Sequence, residues 1–201
     1  MTSLRAFGLA ALTSTFLLAS CLSDGRDMKP PSALQTAAFT SATTLPPVAD
    51  DGADQTTAMS VTAPWANGKA MPIRYTCDGE AVSPPLIWTA GPLETKAYGL
   101  VLRDNDAPDF NHWVIANMSS GTTSLTENEV PAGAFVALNS ANKQSYAAPC
   151  PPKGATHSYT LTVYALREPV AITPPALPAT VIAAMDAAVL EVATTDFTYS
   201  R

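Results

Sequence analysis

The stretch "DNDAPDFNH", residues 104–112, places Asp104, Asp106, Asp109 and His112 within nine residues of one another and runs straight into the apolar "WVIANM". The second of the chain's two histidines, His157, follows another turn-rich segment, "YAAPCPPKGAT", and opens "HSYTLTVYAL". Imidazole N–H groups and a tyrosine hydroxyl can donate hydrogen bonds to an anion, and a carboxylate beside an imidazole raises its pKa and favours the cation. Two imidazoles and a carboxylate also form a known metal ligand set. The spacing of a linear metal motif such as H-E-x-x-H is missing, so neither a metal nor any other cofactor is expected. Nucleophilic catalysis needs a serine or cysteine beside a histidine. The candidates Ser158 and Cys150 lie in no recognised catalytic motif, and no catalytic residue is assigned.

Binding chemistry of this kind requires elements that bring the groups together. In residues 157–166, His157, Tyr159, Leu161, Val163 and Ala165 point to one face of a strand and Ser158, Thr160, Thr162, Tyr164 and Leu166 to the other. His157 and Tyr159 therefore share a face, at the polar beginning of an otherwise apolar row, which is the rim of a core where a pocket opens. Ser158 points away from His157, which argues against a Ser–His pair. Proline-rich turns ahead of both histidines hold the preceding backbone. Further β-like runs at residues 59–63, 71–76, 86–89, 97–103, 112–118 and 134–138 are separated by Pro and Gly. Many short strands with such turns predict a mainly β chain, an antiparallel sandwich or barrel. Residues 177–193 are Ala-rich and Gly-free, with Val181, Met185, Ala188 and Val189 at helical spacing. They predict a C-terminal helix packed on the sheet, with room for a short strand in the final "TTDFTYSR".

Several motifs, in order, carry a resemblance. "TCDGE" at 76–80, "SPPLIW" at 83–88, "DNDAP" at 104–108, "HWV" at 112–114, "PCPPKG" at 149–154, "HSY" at 157–159 and "AMDAAVL" at 184–190 resemble the phosphatidylethanolamine-binding protein family, and within it the bacterial Raf-kinase-inhibitor-like branch. The resemblance covers residues 58–201. It implies an antiparallel β-sandwich with a C-terminal α-helix and a small anion pocket formed by Asp104, Asp106, His112, Pro149, Cys150, Pro151, His157 and Tyr159. On this reading Asp104 contacts or orients the ligand, Asp106 caps the turn and Asp109 is exposed to solvent. The chain departs from the family pattern at Asn105, where a proline is usual, at Ala148, where a glycine is usual, at Ser158 in place of an arginine, and at Ala188 in place of a helix histidine. Losing the arginine removes a cation from the rim. Cys77 and Cys150 both lie in family motifs near the pocket edge, and in an oxidising compartment they are expected to pair.

The remaining sequence concerns address and partners. Residues 1–20 carry Arg5, then a charge-free apolar run closing on small residues, the layout of a secretory signal. Leu18-Ala19-Ser20-Cys21 resembles the bacterial lipobox, which implies cleavage before Cys21 and its lipidation. Residues 21–57, rich in Thr, Ala, Ser, Pro and Asp, read as a disordered tether. Leu22 rather than Asp after the cysteine favours the outer membrane, facing the periplasm. With a net charge of −6 and no Lys/Arg run, nucleic-acid binding is not expected. The expected function is a binding or regulatory module of the cell envelope for an anionic or phosphate-bearing group, such as a phospholipid headgroup, rather than an enzyme. The alternatives are a hydrolase using Asp104, His112 and His157, or an inhibitor of an envelope enzyme that acts through a protein partner.

Overall fold

The computed structural model describes residues 58–201. The signal segment, Cys21 and the tether at 21–57 lie outside the described residues. Nine strands and one α-helix follow in the order β1 (Val61–Thr62), β2 (Lys69–Ala70), β3 (Leu86–Trp88), β4 (Ala97–Asp104), β5 (Asn111–Ser119), β6 (Ser124–Leu125), β7 (Phe135–Val136), β8 (Thr156–Leu166), α1 (Pro178–Ala188) and β9 (Val189–Ser200). They form a three-stranded sheet, β1-β3-β6, and a six-stranded sheet, β2-β9-β8-β4-β5-β7. All pairings are antiparallel except the short contact of β2 with β9, which is parallel.

The central strands β4 and β5 are buried on both faces, and each face has its own partner layer. Leu100, Leu102, Ile115, Leu161 and Val163 face Leu86, Trp88 and Leu125 of the smaller sheet. On the other face Val101, Val114, Ala116 and Leu166 pack against Val181, Ile182 and Met185 of α1. Gly99 permits the close approach of the helix, since a Cβ there would overlap the Met185 sulfur.

Two expectations are corrected. Residues 71–76 do not form a strand: Pro72 precedes a 3-10 turn at Ile73–Tyr75, locked by the Thr76 hydroxyl donating to the Ile73 carbonyl at 2.8 Å. The predicted helix at 177–193 is also too long. It starts on Pro178, a residue suited to the first helical position, but ends at Ala188, and β9 begins at once. From Val189 onward the pattern alternates, with Ala193, Thr195, Phe197 and Tyr199 buried, and β9 pairs with β8 along its length. That ladder, together with the β-branched Val189 and Val192, holds residues 189–193 in strand rather than helix. The final segment is thus a twelve-residue strand rather than a short addition.

Candidate functional site

The predicted residues meet at one end of the large sheet because β4, β5 and β8 are adjacent. Asp104, the last residue of β4, lies opposite Tyr159 in the β4–β8 ladder. His157 lies two residues earlier on the same face, as the alternation predicts. His112 reaches that face for a different reason. Leu102 pairs with Trp113 and Arg103 with Asn111, so β5 carries one extra residue at His112. Simple alternation from Trp113, which faces the smaller sheet, would aim His112 at the opposite face. The bulge turns it back. Its ring packs edge-on against Tyr159, with centroids 5.4 Å apart, and against Phe110 at 4.6 Å.

Asp104 organises the cluster and is only 5% exposed. Its Oδ1 accepts the backbone N–H groups of Asp106 at 2.9 Å and Ala107 at 3.1 Å. The Asp104 carboxylate, not that of Asp106 as expected, therefore caps the 104–108 turn. Its Oδ2 accepts His157 Nδ1–H at 2.7 Å and lies 3.9 Å from His112 Nε2. Asp106 instead latches the turn to β8: one carboxylate oxygen accepts the Ser158 N–H at 2.6 Å and its hydroxyl at 2.9 Å. These two bonds hold the Asp106 carboxyl below its usual range. Asp109 is exposed, as expected.

His112 is buried, and its Nδ1 donates to the Ala147 carbonyl at 2.7 Å, because a carbonyl can only accept. Burial pushes its pKa down, outweighing the opposing effects of the Ala147 bond and the Asp104 charge. The expectation that Asp104 would favour the cationic imidazole is overturned for His112: desolvation dominates and the neutral ring is favoured. Its Nε2 then presents a lone pair. This atom and the Tyr159 hydroxyl are two of the six buried side-chain polar atoms without a hydrogen-bond partner among the described residues. The Tyr159 phenol pKa is pushed up by burial first, then by the nearby charges of Asp104 and Asp106. Phe197 stacks on the Tyr159 ring at 4.9 Å. The side chain of His157 is 20% exposed, so the cluster meets solvent through this residue.

The loop between β7 and β8 contributes through its backbone. The Ala147 N–H donates to the His112 carbonyl at 2.9 Å, and the Cys77 N–H to the Pro149 carbonyl at 3.1 Å. Cys77 and Cys150 are joined in a disulfide with Cα atoms 5.4 Å apart. Pro149 and Pro151 are buried while Cys150 is exposed. These three positions thus enter the site by holding the loop that orients His112, not by offering a polar side chain. Outside this cluster, a shallow cavity of about 170 Å³ on the opposite face of the sheet is lined by Val101, Arg103, Asn105, Thr160, Thr162 and Tyr164. None of the predicted ligand-binding residues lines it. Sequence reading missed Ala147, whose backbone role leaves no side-chain signal, and Phe197, which lies in the final segment read as room for a short strand but whose place beside Tyr159 depends on the β8–β9 register.

Residues 61–200 match the family model described as phosphatidylethanolamine-binding protein. The chain belongs to the phosphatidylethanolamine-binding protein family. A UPF0098 protein of Methanothermobacter thermautotrophicus is 40% identical over 127 residues, which cover 60% of this chain and 83% of that protein. A Mycobacterium tuberculosis protein named "Putative lipoprotein LppC" is 33% identical over 176 residues, 85% of this chain and 81% of its own length. Among solved structures, the Chlamydia trachomatis homologue of phosphatidylethanolamine-binding proteins superposes with a TM-score of 0.66 at 30% identity, covering 72% of this chain and 98% of that one. Escherichia coli YbcL, described as a member of the mammalian family, gives 0.66 at 25% identity, covering 71% and 98%. The family match spans Asp104, His112, His157 and Tyr159, and it spans the turn and loop that position them.

Proposed function

We propose that this chain is an exported, lipid-anchored binding or regulatory module that holds a small phosphate-bearing or other anionic group, such as a phospholipid headgroup, at Asp104, His112, His157 and Tyr159. The observation that carries the reading is the pair of buried polar atoms, His112 Nε2 and the Tyr159 hydroxyl, that lack partners beside the Asp104–His157 pair. A buried polar group without a partner costs on the order of 1–3 kcal/mol. A ligand that satisfies both atoms offsets that cost. The phenol donates to a phosphate oxygen, and neutral His112, its Nδ1 proton committed to Ala147, accepts the P–OH proton of a monoanionic phosphate. His157, held by Asp104, closes the solvent side. Anchoring at Cys21 is supported by the lipobox resemblance and by the naming of the M. tuberculosis relative as a lipoprotein. Placement on the outer membrane facing the periplasm is part of the same proposal and rests on Leu22.

The reading is tested by titrating the full chain with inorganic phosphate and with phosphorylethanolamine while following the histidine ring signals by NMR. Both His112 and His157 signals move in the wild type, and His112→Ala abolishes the response; unmoved signals at millimolar ligand would defeat it. One observation favours a second reading, hydrolysis: the 2.7 Å bond from His157 Nδ1 to Asp104 leaves Nε2 as a base oriented by a carboxylate. The side-chain nucleophiles nearby do not support it. The Ser158 hydroxyl donates to Asp106 and Cys150 is tied in its disulfide, so the attacking group would be water. Phosphomonoester or acyl-ester turnover that is lost in His157→Gln would favour the enzyme.

A further inference from the structure

We propose that the shallow cavity on the outer face of the six-stranded sheet is a second ligand site, which takes a small carboxylate on the guanidinium of Arg103. Its volume of about 170 Å³ is several times the roughly 30 Å³ share of one water, so a group of a few heavy atoms fits. Strand alternation builds it. Val101 and Arg103 of β4 and Thr160, Thr162 and Tyr164 of β8 point to the same face, with Val101 opposite Thr162 and Arg103 opposite Thr160. Asn105, just past the end of β4, lines the cavity as well. None of the residues assigned above to the phosphate-bearing ligand does, so this site stands apart from that reading.

The polar groups around the cavity are donors in want of an acceptor. Arg103 forms no ion pair among the described residues, although a guanidinium carries five N–H groups. The Asn105 amide gives one Nδ2 hydrogen to the Thr160 hydroxyl at 3.1 Å, and that hydroxyl passes its own proton to Asp196 at 2.7 Å. This chain of bonds fixes the amide and leaves its second hydrogen for a ligand. A proline at position 105 would supply neither that amide nor the backbone N–H that donates to the Ser158 carbonyl at 2.9 Å. The Thr162 hydroxyl is a further donor. The Tyr164 phenol stays protonated, because burial pushes its pKa up and the Asp186 carboxylate adds to that against Arg103. A guanidinium fork beside an amide and hydroxyls suits a planar anion with two oxygens. Charge narrows the choice. Asp186 acts on Tyr164 and Asp196 holds Thr160, so Arg103 balances one added negative charge, whereas a phosphate dianion meets two flanking carboxylates.

The test follows the side-chain N–H signals of the full chain by NMR while acetate or, separately, inorganic phosphate is added to tens of millimolar. Acetate moves the Arg103 Nε–H and Asn105 Nδ2–H signals along one saturating curve, and phosphate moves them less. Arg103 is exposed, so Arg103→Gln keeps the fold, and it weakens the acetate response read at Asn105 roughly tenfold or more, the size of a lost charge-assisted bond. Arg167 is the internal control, since it is also exposed and also without an ion pair among the described residues. If its Nε–H moves as far as that of Arg103, any surface guanidinium suffices and the site is overturned. An Asn105 response that survives Arg103→Gln overturns it as well, and a stronger response to phosphate overturns the choice of a carboxylate. Histidine ring signals that move with acetate while Arg103 stays still would put the carboxylate in the Asp104 cluster and defeat the outer site alone.

Discussion

At the residue scale, His112 is where burial and charge compete, and burial wins. Its pKa in the folded chain lies below the value of about 6.5 expected when unfolded. Between those two values the unfolded chain binds more protons, so stability is fully present above about pH 6.5 and is lost as the pH falls below it. Thermal melts across pH 5 to 7.5 should therefore show a steeper acid loss in the wild type than in His112→Gln, and parallel slopes would contradict the assignment. Asp104 is the second decisive residue, since one buried carboxylate serves two backbone N–H groups and His157. Replacing it with Ala removes a cap and an imidazole partner together. The expected loss is about 2–3 kcal/mol in denaturant unfolding, taking roughly 1 kcal/mol for each bond lost. Asp109→Ala, at an exposed position outside the cluster, should change stability by less than about 0.5 kcal/mol.

At the element scale, turns and a bulge do what strands alone cannot. The extra residue in β5 aims His112 at the face that carries Asp104 and Tyr159, and the 145–152 loop then fixes the imidazole through Ala147. The disulfide ties that loop to the 76–80 turn across a separation of 73 residues. By loop-closure entropy a bridge of that span stabilises by about 4 kcal/mol. A Cys77→Ser/Cys150→Ser chain should lose a large part of that in denaturant titration and show shifted His112 ring signals; unshifted signals would separate the bridge from the site. The turn itself is sterically demanding, because a Cβ on Gly79 would run into the backbone of Ile73 and Arg74. Backbone cannot rotate away as the tip of a side chain can, so any side chain at position 79 must displace the turn.

At the scale of the whole molecule, the six-stranded sheet separates two surfaces. One end of its inner face carries the polar cluster, and its outer face carries α1 and the shallow cavity beside Arg103. No helix among the described residues is long and apolar enough to cross a membrane. Attachment through Cys21 predicts that Cys21→Ser moves the protein from the membrane fraction to the soluble fraction on cell fractionation. An unchanged distribution would remove the lipid anchor from the proposed function.

Local signals made much of this legible. The strand alternation at 157–166 put His157 and Tyr159 on one face, and the ordered motifs from 76 to 190 identified the family, its sandwich and the residues of the cluster. These features are carried by neighbouring residues or by spacing along the chain, which sequence displays directly. The helix end at Ala188, the bulge at His112, the roles of Ala147 and Phe197, and the neutral state of the His112 ring emerged only in three dimensions. Each depends on a pairing or packing partner on another element, which the local run of residues does not display. The β8–β9 ladder draws Val189–Ala193 into strand, register against β4 inserts the extra residue in β5, and Phe110, Tyr159 and the loop at Ala147 bury His112, so desolvation outweighs the carboxylate beside it.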